Sequence, residues 1–140
     1  MANMHSSPRE ILQRFYLQAL TVNADTTPQA VLEEVLADDF QSINSQETKD
    51  KATLIRQIAA IWAVVPDLKF EPQDKLMDGS KVVIRSVASG TPKGNFMGMV
   101  CDGGKSFRID TIDIHELADG RIWRVHHVED WASALRQLKE

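Results

Sequence analysis

Residues 106–129 read SFRIDTIDIHELADGRIWRVHHVE. Asp119-Gly120, in the middle of this stretch, is a residue pair suited to the left-handed backbone of a tight hairpin turn. The flanks, Ser106 to Leu117 and Arg121 to Glu129, read as two long strands paired through that turn. Upstream, Val82-Val83-Ile84-Arg85-Ser86-Val87 is a clear strand. Lys69 to Met77 is another, closed by a turn at Asp78-Gly79, and Pro72 within it marks an edge strand or a bulge. Between these strands and the hairpin, Gly90-Thr91-Pro92-Lys93-Gly94 interrupts the pattern. Pairing resumes over Asn95 to Val100 and stops again at Asp102-Gly103-Gly104.

Before Leu68 the apolar period is that of helices. Ser7-Pro8-Arg9-Glu10 has the form of a helix start, with Ser7 as N-cap, Pro8 in the first turn and Glu10 closing a capping box. Ile11, Leu12, Phe15, Tyr16, Ala19 and Leu20 then share one face. Thr27-Pro28 starts a second, short helix carrying Val31, Leu32, Val35 and Leu36. A third begins near Asp50, with Leu54, Ile55, Ile58, Ala59 and Trp62 on one face, and Pro66 ends it. Trp131 to Leu138 forms a short closing helix or turn. Helices followed by an antiparallel meander predict a single α+β domain, in which three N-terminal helices pack on one face of a curved antiparallel sheet. Such a cone holds a pocket at its wide end, between helices and sheet. The domain is expected to span residues 1–140, with residues 1–6 as a disordered tail.

The chain has 140 residues. A domain near this size buries roughly two-thirds of the surface its unfolded chain exposes, so it needs no metal or disulfide for stability. Lys plus Arg is 16 against 20 Asp plus Glu, for a formal charge of −4. That balance argues against nucleic acid as a partner, because phosphate contacts need clustered cations. The single cysteine, Cys101, excludes an internal disulfide and a multi-cysteine zinc site. No apolar run reaches the roughly 20 residues of a membrane span. Met1-Ala2-Asn3-Met4-His5 lacks a basic region followed by an apolar one, as a secretory signal would have. These features predict a soluble, cytoplasmic protein with neither DNA nor lipid as a partner.

Titratable side chains concentrate in the last hairpin, among them Asp113, His115, His126, His127 and Glu129. A carboxylate and an imidazole side by side act as acid and base around neutral pH. The bland alternative is a solvent-facing sheet with scattered charge. Register decides which of them share a face. A loop of Asp119-Gly120 alone sets Asp113 opposite His126. A loop of Ala118-Asp119-Gly120 with a bulge sets Asp113 opposite Val125 and diagonal to His127. His126 and His127 are strand neighbours and point to opposite faces, so only one of them lines a given pocket.

Other chemistries find less support. No helix N-terminus follows Gly90, Gly94 and Gly98, so they do not form a phosphate cradle. His115 with His126 or His127 lacks metal-ligand spacing, and no metal is expected. Cys101 has no activating neighbour, and no GxSxG elbow is present. The aromatic residues, Phe15, Tyr16, Trp62 and Trp123 among them, are mostly core, with a few left to wall an apolar ligand site.

With these residues in view, the chain resembles the SnoaL-like polyketide cyclase (ester cyclase) family from about Ile11 to Leu138. Leu36-Ala37-Asp38-Asp39-Phe40 is similar to the family's segment after the second helix. Val65-Pro66-Asp67-Leu68-Lys69-Phe70 is similar to its PDLRF run. Gly90-Thr91-Pro92-Lys93-Gly94-Asn95-Phe96-Met97-Gly98 resembles GTHxGxFxG. Asp113-Ile114-His115 followed by Asp119-Gly120-Arg121-Ile122 resembles DIHR…DGKI. His127-Val128-Glu129-Asp130-Trp131 is close to the family's WHxEDW tail. Pro92 replaces the histidine of GTH, and His126 stands where the tail motif has tryptophan.

The resemblance implies the cone of the nuclear transport factor 2-like superfamily and an enzyme with no metal and no organic cofactor. Its substrate would be a small, partly apolar carbonyl compound or polyketide-like ester, cyclised through an enolate. In the family, an aspartate on the last strand is the acid/base and a histidine on the preceding strand sits beside it. Here the aspartate's position holds His127 and the histidine's holds Asp113, so the pair is present with identities exchanged. That match favours the bulged loop. The expected roles are His127 as acid/base and Asp113 as the group that orients it or shares its proton. Trp123, Val125, His115, Phe15, Trp62 and Asn44 are expected to contact the substrate. The resemblance also implies a homodimer through the outer sheet face, at Ile112, Ile114, Ile122 and His126. A non-catalytic ligand-binding module, and an isomerase or hydrolase on the same cone, are the alternatives.

Overall fold

The computed structural model describes residues 7–140, so the tail expected over residues 1–6 lies outside the described residues. Each helix starts where a side chain satisfies the first free backbone N–H groups. For α1 (Pro8–Arg14) the capping box forms as the sequence predicts. The Glu10 N–H donates to Ser7 Oγ at 3.1 Å, and the Ser7 N–H donates to Glu10 Oε1 at 3.0 Å. Thr27 caps α2 (Pro28–Val35) and Asp50 caps α3 (Lys51–Val64). α1 runs directly into one π-helical turn, Phe15–Ala19, in which the Leu20 N–H reaches the Phe15 carbonyl at 3.0 Å. A π turn holds one more residue than an α turn, and such turns are common at functional sites.

The strands are β1 (Leu36–Ile43), β2 (Thr48–Asp50), β3 (Lys69–Asp78), β4 (Lys81–Gly90), β5 (Lys93–Phe96), β6 (Met99–Asp102), β7 (Phe107–Ala118) and β8 (Arg121–Glu129). Six of them form one sheet in the order β2-β1-β8-β7-β4-β3, while β5 and β6 make a separate hairpin. β3 lies at the sheet edge and its register shifts just after Pro72, so the proline marks both an edge and a bulge. The architecture is the predicted α+β cone with two corrections. The sheet is mixed, because β1 runs parallel to β8. β1 and β2 also precede α3, in a segment where the sequence predicts no strands. β1 is irregular, with a register shift between Leu36 and Gln41 that carries the exposed Asp38-Asp39 pair. The apolar alternation that announces a strand is lost there.

The β7–β8 hairpin decides the site. Asp119 and Gly120 both adopt positive φ, at 53° and 75°, the signature of a two-residue turn. Ala118 pairs with Arg121 and Leu117 with Ile122, so the three-residue loop does not form. The bulge lies farther along β8, where Glu116 pairs with Arg124 and Trp123 is left over. The extra residue sets Asp113 directly opposite His127.

Helices and inner sheet face close around Leu12, Tyr16, Leu32, Phe40, Phe107 and Ile122, all fully buried. α4 (Trp131–Lys139) closes the domain. Its Gln137 side chain donates to the Arg108 carbonyl at 3.0 Å and accepts from the Arg108 N–H at 2.7 Å, pairing like a strand neighbour with β7. Among the described residues no helix is long and apolar enough to cross a membrane.

Gly90, at the end of β4, is packed against a neighbour with little room to move. A Cβ there would overlap Cγ1 of the fully buried, β-branched Val65 and sit 3.4 Å from the Phe107 ring. Gly90→Ala is therefore expected to cost about 1–3 kcal/mol, read as a lowered urea midpoint. An unchanged midpoint would show that this contact is slack.

Candidate active site

Along β7 the inward positions are Phe107, Ile109, Thr111, Asp113 and His115, all buried. The apolar members build the core, and Asp113 and His115 bring polar atoms into it. Their partner is Tyr16, carried by the π turn. Its hydroxyl lies 2.5 Å from Asp113 Oδ2 and 2.7 Å from His115 Nε2. Burial lowers the His115 pKa to about 3, so its imidazole is neutral. Among the described residues its Nδ1 has no partner. A proton on Nδ1 would be an unpaired buried donor and would draw the phenol proton away from Asp113, so the hydrogen bonds assign the proton to Nε2. The chain is then directed: His115 Nε2–H donates to the Tyr16 oxygen, and the Tyr16 O–H donates to the Asp113 carboxylate. Burial pushes the Asp113 pKa up to about 7, against the Tyr16 hydrogen bond that favours the anion. Burial beside that carboxylate pushes the Tyr16 phenol well above its usual value.

On β8 the inner face carries Val125, His127 and Glu129. His127 Nδ1 lies 3.1 Å from Glu129 Oε1, and Trp131 Nε1–H donates to the same oxygen at 3.1 Å. The Glu129 hydrogen bond raises the His127 pKa against the opposing effect of partial burial. Glu129, and not Asp113, therefore holds the His127 ring. Asp113 and His127 face each other across the ladder, where paired Cβ atoms lie about 4.5–5.5 Å apart.

Both border a cavity of about 400 Å³ between α3, the π turn and the sheet. Phe15, Leu20, Leu54, Ile58 and Phe70 make its apolar wall, while Ser42, Asn44, Lys49 and Gln57 make a polar one. The tip of the β5–β6 hairpin, with Phe96 and Met97, forms part of the rim. Of the residues expected to contact substrate, Phe15, Asn44 and Val125 line this cavity. His115 lies behind the wall, fully buried against Tyr16. Trp62 donates its Nε1–H to the Ala19 carbonyl at 2.9 Å and ties α3 to the π turn. Trp123 is the bulge residue, with the Arg124 guanidinium 4.0 Å from its ring centroid. Neither tryptophan borders the cavity. Among the described residues no group of three or more His, Cys, Asp or Glu side chains is placed to hold a metal ion.

Tyr16 and the Glu129–Trp131 arm are absent from the expected site. Signals for both exist. Tyr16 is the chain's only tyrosine and sits on an apolar helix face, where a buried phenol must find a partner. Glu129 is two residues from His127 on one strand, hence on the same face.

Asp113 makes stability depend on pH. Its folded pKa of about 7 lies above the usual carboxylate value of 3.8, so the folded chain keeps a proton that the unfolded chain releases. The stability linked to this group is complete below about pH 4 and is lost as pH rises through about 7. Asp113→Asn cannot ionise. It should be more stable than the native chain at pH 8 by roughly 1–3 kcal/mol, with the difference shrinking toward pH 4 in urea melts. A variant with no such gain would mean that the buried carboxylate costs the fold nothing.

The profile of the SnoaL-like polyketide cyclase family matches residues 10–138. No curated protein sequence matches the chain. Among solved structures, a candidate SnoaL-like polyketide cyclase from Jannaschia sp. CCS1 superposes with a TM-score of 0.82 at 19% identity, over 94% of each chain. IdmH, a candidate polyketide cyclase from Streptomyces antibioticus, gives 0.81 at 24% identity, over 96% of this chain and 99% of that one. A Catenulispora acidiphila protein of ketosteroid isomerase-like fold gives 0.74 at 17% identity, over 96% of this chain and 95% of that one. At these identities the structures establish a shared fold, and the sequence profile, spanning nearly the whole cone, goes further: the chain belongs to the SnoaL-like polyketide cyclase family.

Proposed function

We propose that this protein is a cyclase acting by acid/base chemistry on a small, partly apolar carbonyl compound, with Asp113 and His127 as the proton-handling pair. The observation that carries the reading is that these two side chains face each other on the wall of a largely apolar cavity, each with its own hydrogen-bonded support. A carboxylate titrating near 7 can accept a proton from the carbon beside a carbonyl at neutral pH. The enolate so formed attacks a second carbonyl in the same molecule and closes a ring. His127 is held through Nδ1, which leaves Nε2 to donate a proton to the alkoxide formed on closure. Asp113 gains one proton and His127 loses one, and exchange with solvent resets both. The Tyr16 hydrogen bond favours the ionised form of Asp113 and aims the carboxylate.

The test is a screen of carbonyl compounds for turnover, followed by kinetics on variants. Asp113→Asn and His127→Gln should each lower kcat by about 10²–10⁴-fold while remaining folded. The rate should rise with pH through about 7 as Asp113 ionises, and Tyr16→Phe should move that limb to higher pH. Wild-type rates in both folded pair variants would sink the assignment and favour a ligand-binding module.

We infer also that a second copy covers the outer sheet face. In support, Ile112 pairs with Val128, next to Ile114 paired with His126, and all three apolar side chains are exposed. Ile122, expected on this face, is fully buried, because the bulge at Trp123 comes after it. A contiguous apolar strip on a sheet face is an association surface. Light scattering at tens of micromolar should give a dimer, and Val128→Glu combined with Ile112→Glu a monomer. A monomeric native chain would refute the pairing.

A further inference from the structure

Two lysines near the start of α3 behave differently. Lys51 donates to the Glu33 carbonyl at 3.0 Å and the Leu36 carbonyl at 2.9 Å, and so ties α3 to α2 and β1. Lys49, on β2, pairs with Ser42 of β1, which pairs in turn with Val125 of β8. Ser42 and Val125 are buried and line the cavity, so Lys49 lies on the same face, and it borders the cavity too. Its side chain is only 11% exposed. Yet among the described residues its Nζ donates no hydrogen bond, and its paired carboxylate, that of the exposed Glu47, lies 3.7 Å away. An ammonium that borders the cavity with its carboxylate partner beyond hydrogen-bond distance has N–H donors free for a ligand.

The neighbouring group has the same polarity. Asn44 Oδ1 is occupied by the backbone N–H groups of Gln46 and Glu47, at 2.8 and 3.0 Å, so its amide N–H₂ is the part left to meet a ligand. This corner of the cavity holds two groups with donors to offer, the Lys49 ammonium and the Asn44 amide, beside Gln46 and the Glu47 carboxylate and across from an apolar wall. Lys49 is also within electrostatic reach of His127, whose protonation it opposes.

We propose that Lys49 is the specificity-determining residue of the cavity, and that the substrate carries an anionic oxygen, a carboxylate or an acidic enol, which pairs with the Lys49 ammonium while its apolar body fills the side walled by Phe15 and Phe70. This rests on the reading of the cavity as the substrate site. A bound anion also cancels the charge that works against His127, so the acid of the pair holds its proton more firmly when substrate is present.

The test needs no turnover. Binding of 2-naphthoate and of its neutral methyl ester is measured by calorimetry at low salt on the native chain, Lys49→Met, Lys49→Arg and the surface control Lys139→Met. The native chain and Lys139→Met should prefer naphthoate over the ester by about tenfold or more. Lys49→Met should abolish that preference by weakening naphthoate alone, leaving the ester within about twofold, and Lys49→Arg should retain it. Equal affinity of the native chain for both probes, equal loss of both in Lys49→Met, no effect of Lys49→Met on naphthoate, or no naphthoate binding at millimolar concentration would each overturn the proposal. Failure here leaves the acid/base reading standing, since that reading is decided by turnover in the Asp113 and His127 variants. Conversely, naphthoate selectivity survives if those variants turn over normally.

Discussion

β8 carries one residue more than β7 can pair, and the arrangement of the site depends on that surplus. Side chains alternate along a strand, so an unbulged hairpin with the same two-residue turn would set Asp113 opposite His126 and send His127 and Glu129 to the outer face. Trp123 absorbs the surplus. Below it, Ile122 stays in the core. Above it, Val125, His127 and Glu129 turn inward in step with Asp113 and His115. The same shift leaves Val128 and His126 outside and so defines the outer strip as well as the cavity wall. The turn at Asp119-Gly120 fixes where pairing starts, and the bulge fixes which histidine the cavity receives.

The polar groups so gathered act on one another in opposing directions. Glu129 favours the protonated form of His127 and, as a second negative charge, works against ionisation of Asp113. His127, when charged, favours the Asp113 carboxylate, as does the Tyr16 hydrogen bond. Burial opposes charge on both. The outcome is a carboxylate whose pKa is raised to about 7 beside an imidazole whose pKa is raised above its usual value. The fold bears the cost in a buried carboxylate and an imidazole nitrogen, His115 Nδ1, with no partner among the described residues. Sites that maintain such groups trade stability for chemistry.

Much of this was legible in the chain. Ser7, Thr27 and Asp50 announce helix starts because a capping side chain acts locally, within three residues. Asp119-Gly120 announces its turn because few residues accept positive φ. Pro72 marks an edge because it lacks a ladder donor. The features that stayed hidden depend on distant partners. β1 has no apolar alternation, since its acidic pair falls on an irregular stretch, and only β8 alongside makes it a strand. The position of the bulge could not be told from the residues, because a three-residue loop suits Ala118-Asp119-Gly120 equally well. Trp62 and Trp123 have the composition of a ligand wall, but direction decides, and one faces a backbone carbonyl while the other stacks with an arginine. Tyr16 reads as core, and it is core; its role comes from residues about a hundred positions away.

The π turn that carries Tyr16 has a consequence for how such proteins change over time. It is a one-residue surplus in a helix, as the bulge is a one-residue surplus in a strand. Losing one residue from Phe15–Ala19 would restore a regular helix and rotate α1 by about 100° against the rest of the domain. The apolar contacts of α1 could re-form in a neighbouring register, while the hydroxyl would leave Asp113 and His115. A single codon deletion thus separates a wired cavity from a plain one on an unchanged cone. Descendants of one gene can gain or lose chemistry at this wall by insertion and deletion, a route that comparisons counting only substitutions would overlook.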